Sequence, residues 1–183
     1  MFRNVVFGLM CFCMVMACKE SEMKNGTIIT AQEKDSVITE PVIRPIGETL
    51  LPESRKKVEN WKAYQELDKF LENYYTALPQ EALNLSTELA TISKQLKDSL
   101  EIKRFKEPDV QIRLNVLYNS VLRLEDMASI PNISDKEVLA EINQILDAFS
   151  ALNAKINNIT RKEEIEKQIK ELENKINQSN PKK

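Results

Sequence analysis

The chain has 183 residues, of which 42% are apolar and 30% charged, with 26 basic and 28 acidic side chains. These values are typical of a soluble globular protein with one domain and appendages. The sequence has no histidine, and its three glycines all precede residue 48. This excludes chemistry that depends on an imidazole, and a glycine-rich phosphate loop cannot form in the rest of the chain. The net charge of −2 argues against a nucleic-acid binder.

The first eighteen residues predict export from the cytoplasm. Arg3 precedes a thirteen-residue apolar run, residues 5–17, which is shorter than the ~20 residues that span a bilayer and is typical of an export signal. The run ends in Val15-Met16-Ala17-Cys18, and Lys19-Glu20-Ser21-Glu22 follows. An apolar residue three positions before a cysteine, a small residue just before it and polarity just after it resemble the lipobox of bacterial lipoproteins.

The resemblance implies that residues 1–17 are removed as a signal peptide and that Cys18 carries diacylglycerol and acyl chains such as palmitate. Several acyl chains hold a protein in a membrane far more firmly than one. Cys11 and Cys13 lie in the removed segment, so the mature chain keeps no free thiol for a disulfide or a metal site. The alternatives are a plain secretory signal and a short uncleaved anchor.

Two further short motifs point to the envelope of Bacteroidetes. Lys19-Glu20-Ser21-Glu22 resembles the charged signals that send lipoproteins of this phylum to the outer face of the outer membrane. Asp35-Ser36-Val37 resembles their acceptor for O-glycosylation, which would fall on Ser36. We therefore expect a lipid-anchored protein of the outer membrane, with the anchor in either the surface-exposed or the periplasmic leaflet.

The stretch that follows the signal predicts a disordered, lipidated tether over residues 18–52. It contains two glycines and three prolines and has no sustained helical stripe. Such a composition favours an extended linker that holds the folded part away from the bilayer.

From residue 53 onward the sequence predicts an all-α fold. Pro79, Pro108 and Pro131 divide this part of the chain into four segments, because proline is tolerated in the first turn of a helix and disrupts its interior. Each segment has one apolar stripe at spacings of three and four. The predicted helices cover about 54–77, 80–103, 109–129 and 134–178. Short connections favour an up-down four-helix bundle, assigned to residues 53–159.

The fourth segment predicts an unusually long helix. Ser134-Asp135-Lys136-Glu137 is a capping box that opens it. Its stripe alternates spacings of four and three from Val138 to Ile159, and the next apolar residue, Ile165, comes six residues later. Thr160-Arg161-Lys162-Glu163 forms a second candidate capping box. The helix therefore either continues or breaks near 158–160, and we expect continuity.

Beyond the bundle, the C-terminal extension over residues 160–183 has one apolar residue per turn. These residues are Ile165, Ile169, Leu172 and Ile176. They would stay exposed on a projecting helix unless another chain covers them, which predicts a coiled-coil seam for a second copy or another protein. The alternative is a frayed or folded-back helix.

The sequence predicts neither an enzyme nor a cofactor. Carboxylate di-iron bundles need histidine, and no Asp-x-Asp-x-Asp-Gly pattern for calcium occurs. Aromatic residues on helical stripes are expected to be core rather than a ligand site; these are Trp61, Tyr64, Tyr74, Tyr118 and Phe149. Two functions stay open: an interaction or structural module for an envelope or extracellular protein, and a lipoprotein that holds a small apolar or lipid-like ligand between its helices. The second needs a cavity of about 300–1,000 Å³.

Overall fold

A computed structural model describes residues 38–179, and these form helices and connecting segments without a strand. The α-helices in the described part are α1 (Pro52–Val58), α2 (Lys62–Leu71), α3 (Pro79–Asn84), α4 (Ser86–Asp98), α5 (Pro108–Met127) and α6 (Asp135–Ser179). Short 3₁₀ turns, Glu72–Tyr75 and Lys103–Phe105, follow α2 and α4. The predicted all-α bundle with a long C-terminal helix is confirmed.

Helices α5 and α6 pack antiparallel to each other. Near the start of α5, Asp109 forms an ion pair with Lys155, whereas Arg123 near its end pairs with Glu141 at 2.8 Å. Glu141 is buried, and both of its carboxylate oxygens accept hydrogen bonds from the Arg123 guanidinium. The two pairs fix the register of the helices at both ends of their contact.

The first two predicted helices are each interrupted. The segment predicted as 54–77 turns at Trp61, whose backbone is not helical and whose indole nitrogen donates to Ser99 Oγ at 3.1 Å. The segment predicted as 80–103 bends at Leu85, and its helix ends at Asp98. Burial of Leu100 and Phe105 accounts for this early end, because the turn after α4 folds them into the core.

The apolar stripes form the core, as predicted. All seven stripe residues of α6 are buried: Val138, Ile142, Ile145, Phe149, Leu152, Ile156 and Ile159. Tyr64 lies between Trp61 and Phe149, with ring centroids 5.7 and 5.6 Å apart, and its hydroxyl donates to Asn153 Oδ1 at 2.7 Å. Four of the five aromatic residues, including the fully buried Tyr74, are therefore core; Tyr118 is only partly buried and lies under the Lys97 ammonium.

The last residues of the predicted tether are packed against the bundle. Residues 38–51, which we call the strap, have no regular secondary structure, and their contacts advance along α6 in the same direction as the helix. The backbone N–H groups of three strap residues donate to α6 side chains, Ile38 to Asp135 at 2.7 Å, Glu48 to Ser150 at 2.7 Å and Leu51 to Asn157 at 2.9 Å. The packed part of the chain thus begins upstream of residue 53, where the sequence placed the start of the bundle.

A polar face of α6 holds the strap. Asn143, Ser150, Asn153 and Asn157 are spaced by seven, three and four residues, which places them on one side of the helix. Asn157 is fully buried and makes three of the contacts: besides the bond from Leu51, its amide donates to the Thr49 carbonyl at 2.9 Å and to Glu48 Oε1 at 3.0 Å. The strap is therefore bound mainly through its backbone.

Arg44 joins the strap to the end of the first long segment. It is only 5% exposed, and its guanidinium donates to the carbonyls of Tyr74 at 2.9 Å and Ala77 at 3.3 Å and to Asn143 Oδ1 at 3.1 Å. Carbonyls at the end of a helical segment carry partial negative charge, which suits a buried cation. Burial lowers the pKa of this guanidinium.

Helix α6 is continuous, which confirms the expectation that it does not break near 158–160. The predicted capping box opens it, since Ser134 Oγ accepts from the Glu137 N–H at 3.2 Å and the Glu137 carboxylate accepts from the Ser134 N–H at 3.3 Å. At the second candidate box, Thr160 is buried and donates to the Ile156 carbonyl at 3.0 Å, so it does not start a new helix. The 45 residues of α6 extend over about 67 Å.

Candidate interaction surface

The four apolar residues of the C-terminal extension lie on the exposed part of α6. Ile165 is 56% exposed, Ile169 50%, Leu172 58% and Ile176 60%. We call these four residues the seam. Between 161 and 178 every residue is exposed except Glu163, which is partly buried. This part of the helix therefore projects beyond the bundle. The structure thus has a continuous projecting helix where a frayed or folded-back one was the alternative.

An ionic collar fixes the helix where it leaves the bundle. Glu163 is bound by Lys57 of α1 at 2.9 Å and by Arg104 of the second 3₁₀ turn at 3.5 Å. Arg104 also reaches Glu166 at 3.9 Å. Such partly exposed pairs contribute at most about 1 kcal/mol each. The pairs fix the direction in which the helix leaves the bundle, since they connect α1 and the second 3₁₀ turn to the first turn of the projecting part.

The seam lies on a different side of α6 from the buried stripe. Six residues turn an α-helix by about 600°, so Ile165 lies about 120° around the axis from the buried Ile159. Asp147, Ala151 and Asn158 precede Ile165 by eighteen, fourteen and seven residues, and these spacings bring them to the same side of α6. All three are exposed. The seam therefore continues the outer face of α6, which leaves room for a second helix along it.

The start of the strap and the seam lie at opposite ends of α6. The strap begins where Ile38 binds Asp135, the first residue of the helix. Thirty residues of helix separate Asp135 from Ile165, which corresponds to about 45 Å. The chain thus enters the bundle at one end and presents its apolar seam at the other.

The clefts in the described part are shallow and mixed in character. A cleft of about 570 Å³ beside the strap has charged residues in its lining, among them Arg55 and Asp68, next to Leu50 and Tyr64. Burial raises the pKa of both Tyr64 and Asp68. A second cleft of about 450 Å³ lies where the projecting helix begins and includes Ile165 in its lining.

The other predicted site residues lie outside the described residues. These are Cys18, the export-signal residues Lys19, Glu20, Ser21 and Glu22, and Ser36. Within residues 38–179, no helix has the length and apolarity that crossing a membrane requires. The same residues contain no group of three or more acids, cysteines or histidines placed to hold a metal ion.

Sequence reasoning missed the strap-binding residues of α6. Their signal was present, because Asn143, Ser150, Asn153 and Asn157 repeat at the period of the apolar stripe beside them. Comparison with known proteins adds no functional residues: no family model, no curated protein and no solved structure matches the chain.

Proposed function

We propose that this protein is a lipid-anchored lipoprotein of the bacterial outer membrane whose helical bundle presents the C-terminal helix as an interaction or structural module. The observation that carries the proposal is the exposed seam on a continuous helix that projects from the bundle. A helix that is already formed loses little conformational freedom when a partner binds.

The arrangement of the chain suits display away from a membrane. A lipid anchor at Cys18 would be joined to Ile38 by twenty residues, which reach at most about 66 Å. From Ile38 the bundle adds about 45 Å along α6 before the seam begins. These lengths allow the seam to lie far from the bilayer, whichever leaflet holds the anchor.

The seam fits a helical protein partner. One apolar residue per turn, flanked by glutamate and lysine, is recognised by an amphipathic helix that packs alongside. The partner is an envelope or extracellular protein or a second copy of the chain. The alternative function, binding of an apolar or lipid-like ligand between the helices, has less support, because the core aromatics contact one another and the cleft beside Tyr64 has a charged lining.

Lipidation is tested by metabolic labelling of cells that express the full chain with a palmitate analogue. We expect label on the natural chain and none on the Cys18→Ala variant, with the variant keeping its uncleaved signal. Equal labelling of the two chains would contradict the anchor.

The interaction role is tested with a photo-crosslinking residue at Gln168, which is exposed beside the seam. We expect crosslinked protein in cells from this position, and its loss when Ile169 and Leu172 are also changed to lysine. The control position is Asp126, exposed at the end of α5. Crosslinks that are equal at Gln168 and Asp126 would refute the seam as an interaction surface.

A further inference from the structure

We propose that the seam pairs with the same seam of a second copy as a parallel two-helix coiled coil. This names the partner for the interaction module and rests on that proposed function. The residues beside the seam also distinguish parallel from antiparallel pairing of the two helices.

The seam has the spacing of a coiled-coil core. Its residues follow at intervals of four, three and four, so Ile165 and Leu172 occupy d positions and Ile169 and Ile176 occupy a positions. In a parallel pair each residue meets its own copy, which gives four apolar layers. Side chains that are half exposed in the single chain would be covered in all four.

The charges beside the seam favour the parallel orientation. Arg161 occupies a g position and would face Glu166 at the e position five residues later in the partner, twice by symmetry. Gln168 would face Glu173 in the same way. An antiparallel pair with the same apolar layers would instead place Glu166 opposite Glu173, also twice. Parallel pairing thus has two attractive contacts where antiparallel pairing has two repulsive ones, and all four residues are exposed.

The geometry of α6 accommodates two copies side by side. Because the seam continues the outer face of the helix, the two bundles would lie on opposite outer sides of the paired helices. Parallel pairing also brings both Ile38 residues to the same end. Antiparallel pairing would separate the two Asp135 ends by about 107 Å along the axis, which exceeds the ~66 Å that the chain from Cys18 to Ile38 can span. Two copies that are anchored in one membrane with α6 perpendicular to it can therefore pair only in parallel.

The pairing is weak in solution and stronger on a membrane. Two heptads are few for a coiled coil, and Lys162 occupies the a position before Ile165, where two ammonium groups would oppose each other unless their long side chains turn outward. Anchoring confines two copies to one surface, which raises their effective concentration. Disulfide trapping is suited to such a weak and reversible contact.

The test uses residues 19–183, which contain every described residue and no cysteine. Lys162→Cys places one thiol at a position that meets its own copy only in a parallel pair. In the antiparallel pair, residue 162 instead meets residue 179, so a mixture of the Lys162→Cys and Ser179→Cys variants detects that orientation. Asp126→Cys measures chance collisions at an exposed site outside the seam.

Under mild oxidation we expect the Lys162→Cys variant to form a covalent dimer at least tenfold faster than the Asp126→Cys variant. Adding Ile169→Lys and Leu172→Lys should lower that rate to the control value, with unchanged circular dichroism, since both residues are exposed in the single chain.

The outcomes separate this inference from the proposed function. Preferential disulfides between the Lys162→Cys and Ser179→Cys variants would overturn the parallel orientation. A Lys162→Cys rate equal to the control, together with cellular crosslinks from Gln168 to a different protein, would overturn self-pairing and leave the interaction module intact. Control-level rates together with no cellular crosslinks would overturn both.

Discussion

The contact between Asn157 and the strap allows a quantitative prediction. Asn157 is fully buried, accepts a hydrogen bond from the Leu51 N–H, and donates to the Thr49 carbonyl and the Glu48 carboxylate. A hydrogen bond contributes about 0.5–1.5 kcal/mol net, so three contribute about 1.5–4.5 kcal/mol. Alanine is the better helix former by about 0.6 kcal/mol. We expect Asn157→Ala to lower the free energy of unfolding by about 2–3 kcal/mol.

Chemical and thermal unfolding of residues 19–183 measure this loss. A change of 2–3 kcal/mol corresponds to a decrease in Tm of about 4–12 °C for a domain of this size. Asn158→Ala is the matched control, because it changes the same residue type one position further along α6 at an exposed site. It keeps the propensity gain and removes no strap contact. If the two variants differ by less than about 0.5 kcal/mol, the reasoning that the strap is part of the folded unit is refuted.

Three other changes test separate contacts. Gly47→Ala should destabilise the fold by about 1–3 kcal/mol in urea, because an added Cβ would lie 2.5 Å from Ser150 Oγ. The double change with Ser150→Gly should cost less than the sum of the two single changes, and additive losses would contradict the close approach. Arg44→Lys should cost about 1–3 kcal/mol, since one ammonium group cannot reach all the acceptors of the guanidinium; unfolding within 0.5 kcal/mol of the natural chain would argue against it. Hydrogen bonds from Ser134 lower the pKa of Glu137, so their stabilisation is present above the ordinary glutamate pKa and is lost as the pH falls through the lowered value. Ser134→Ala should therefore raise this pKa in an NMR titration, and an unchanged midpoint would contradict the capping box.

Most of the bundle could be predicted because burial of one helix face leaves a regular trace in the sequence. The stripe from Val138 to Ile159 is buried at every predicted position. The capping box at Ser134 could also be predicted, since it depends on two residue types three positions apart. The seam was predicted from the same spacing of apolar residues. It is exposed because α6 extends beyond the helices that pack against it.

The interruptions and the strap left weaker traces. At Trp61 and Leu85 the stripe runs on while the backbone turns. Trp61 contacts Ser99, which is distant in the sequence, and such a contact leaves no local pattern. The strap is bound mainly through backbone N–H and carbonyl groups, which all residue types except proline possess. Its own composition therefore resembled that of a linker. The information lay in the partner, in asparagines such as Asn153 and Asn157 that repeat beside the apolar stripe of α6.

The parallel course of the strap has a mechanical consequence. A force on Ile38 directed away from the projecting end would pull the strap lengthwise along α6. The bonds to Asp135, Ser150 and Asn157 would then resist as one set in shear, whereas an outward force would break them one after another. Tension along the long axis is therefore shared over α6 from Asp135 to Asn157, and the bundle resists being stretched in the direction in which it displays its helix.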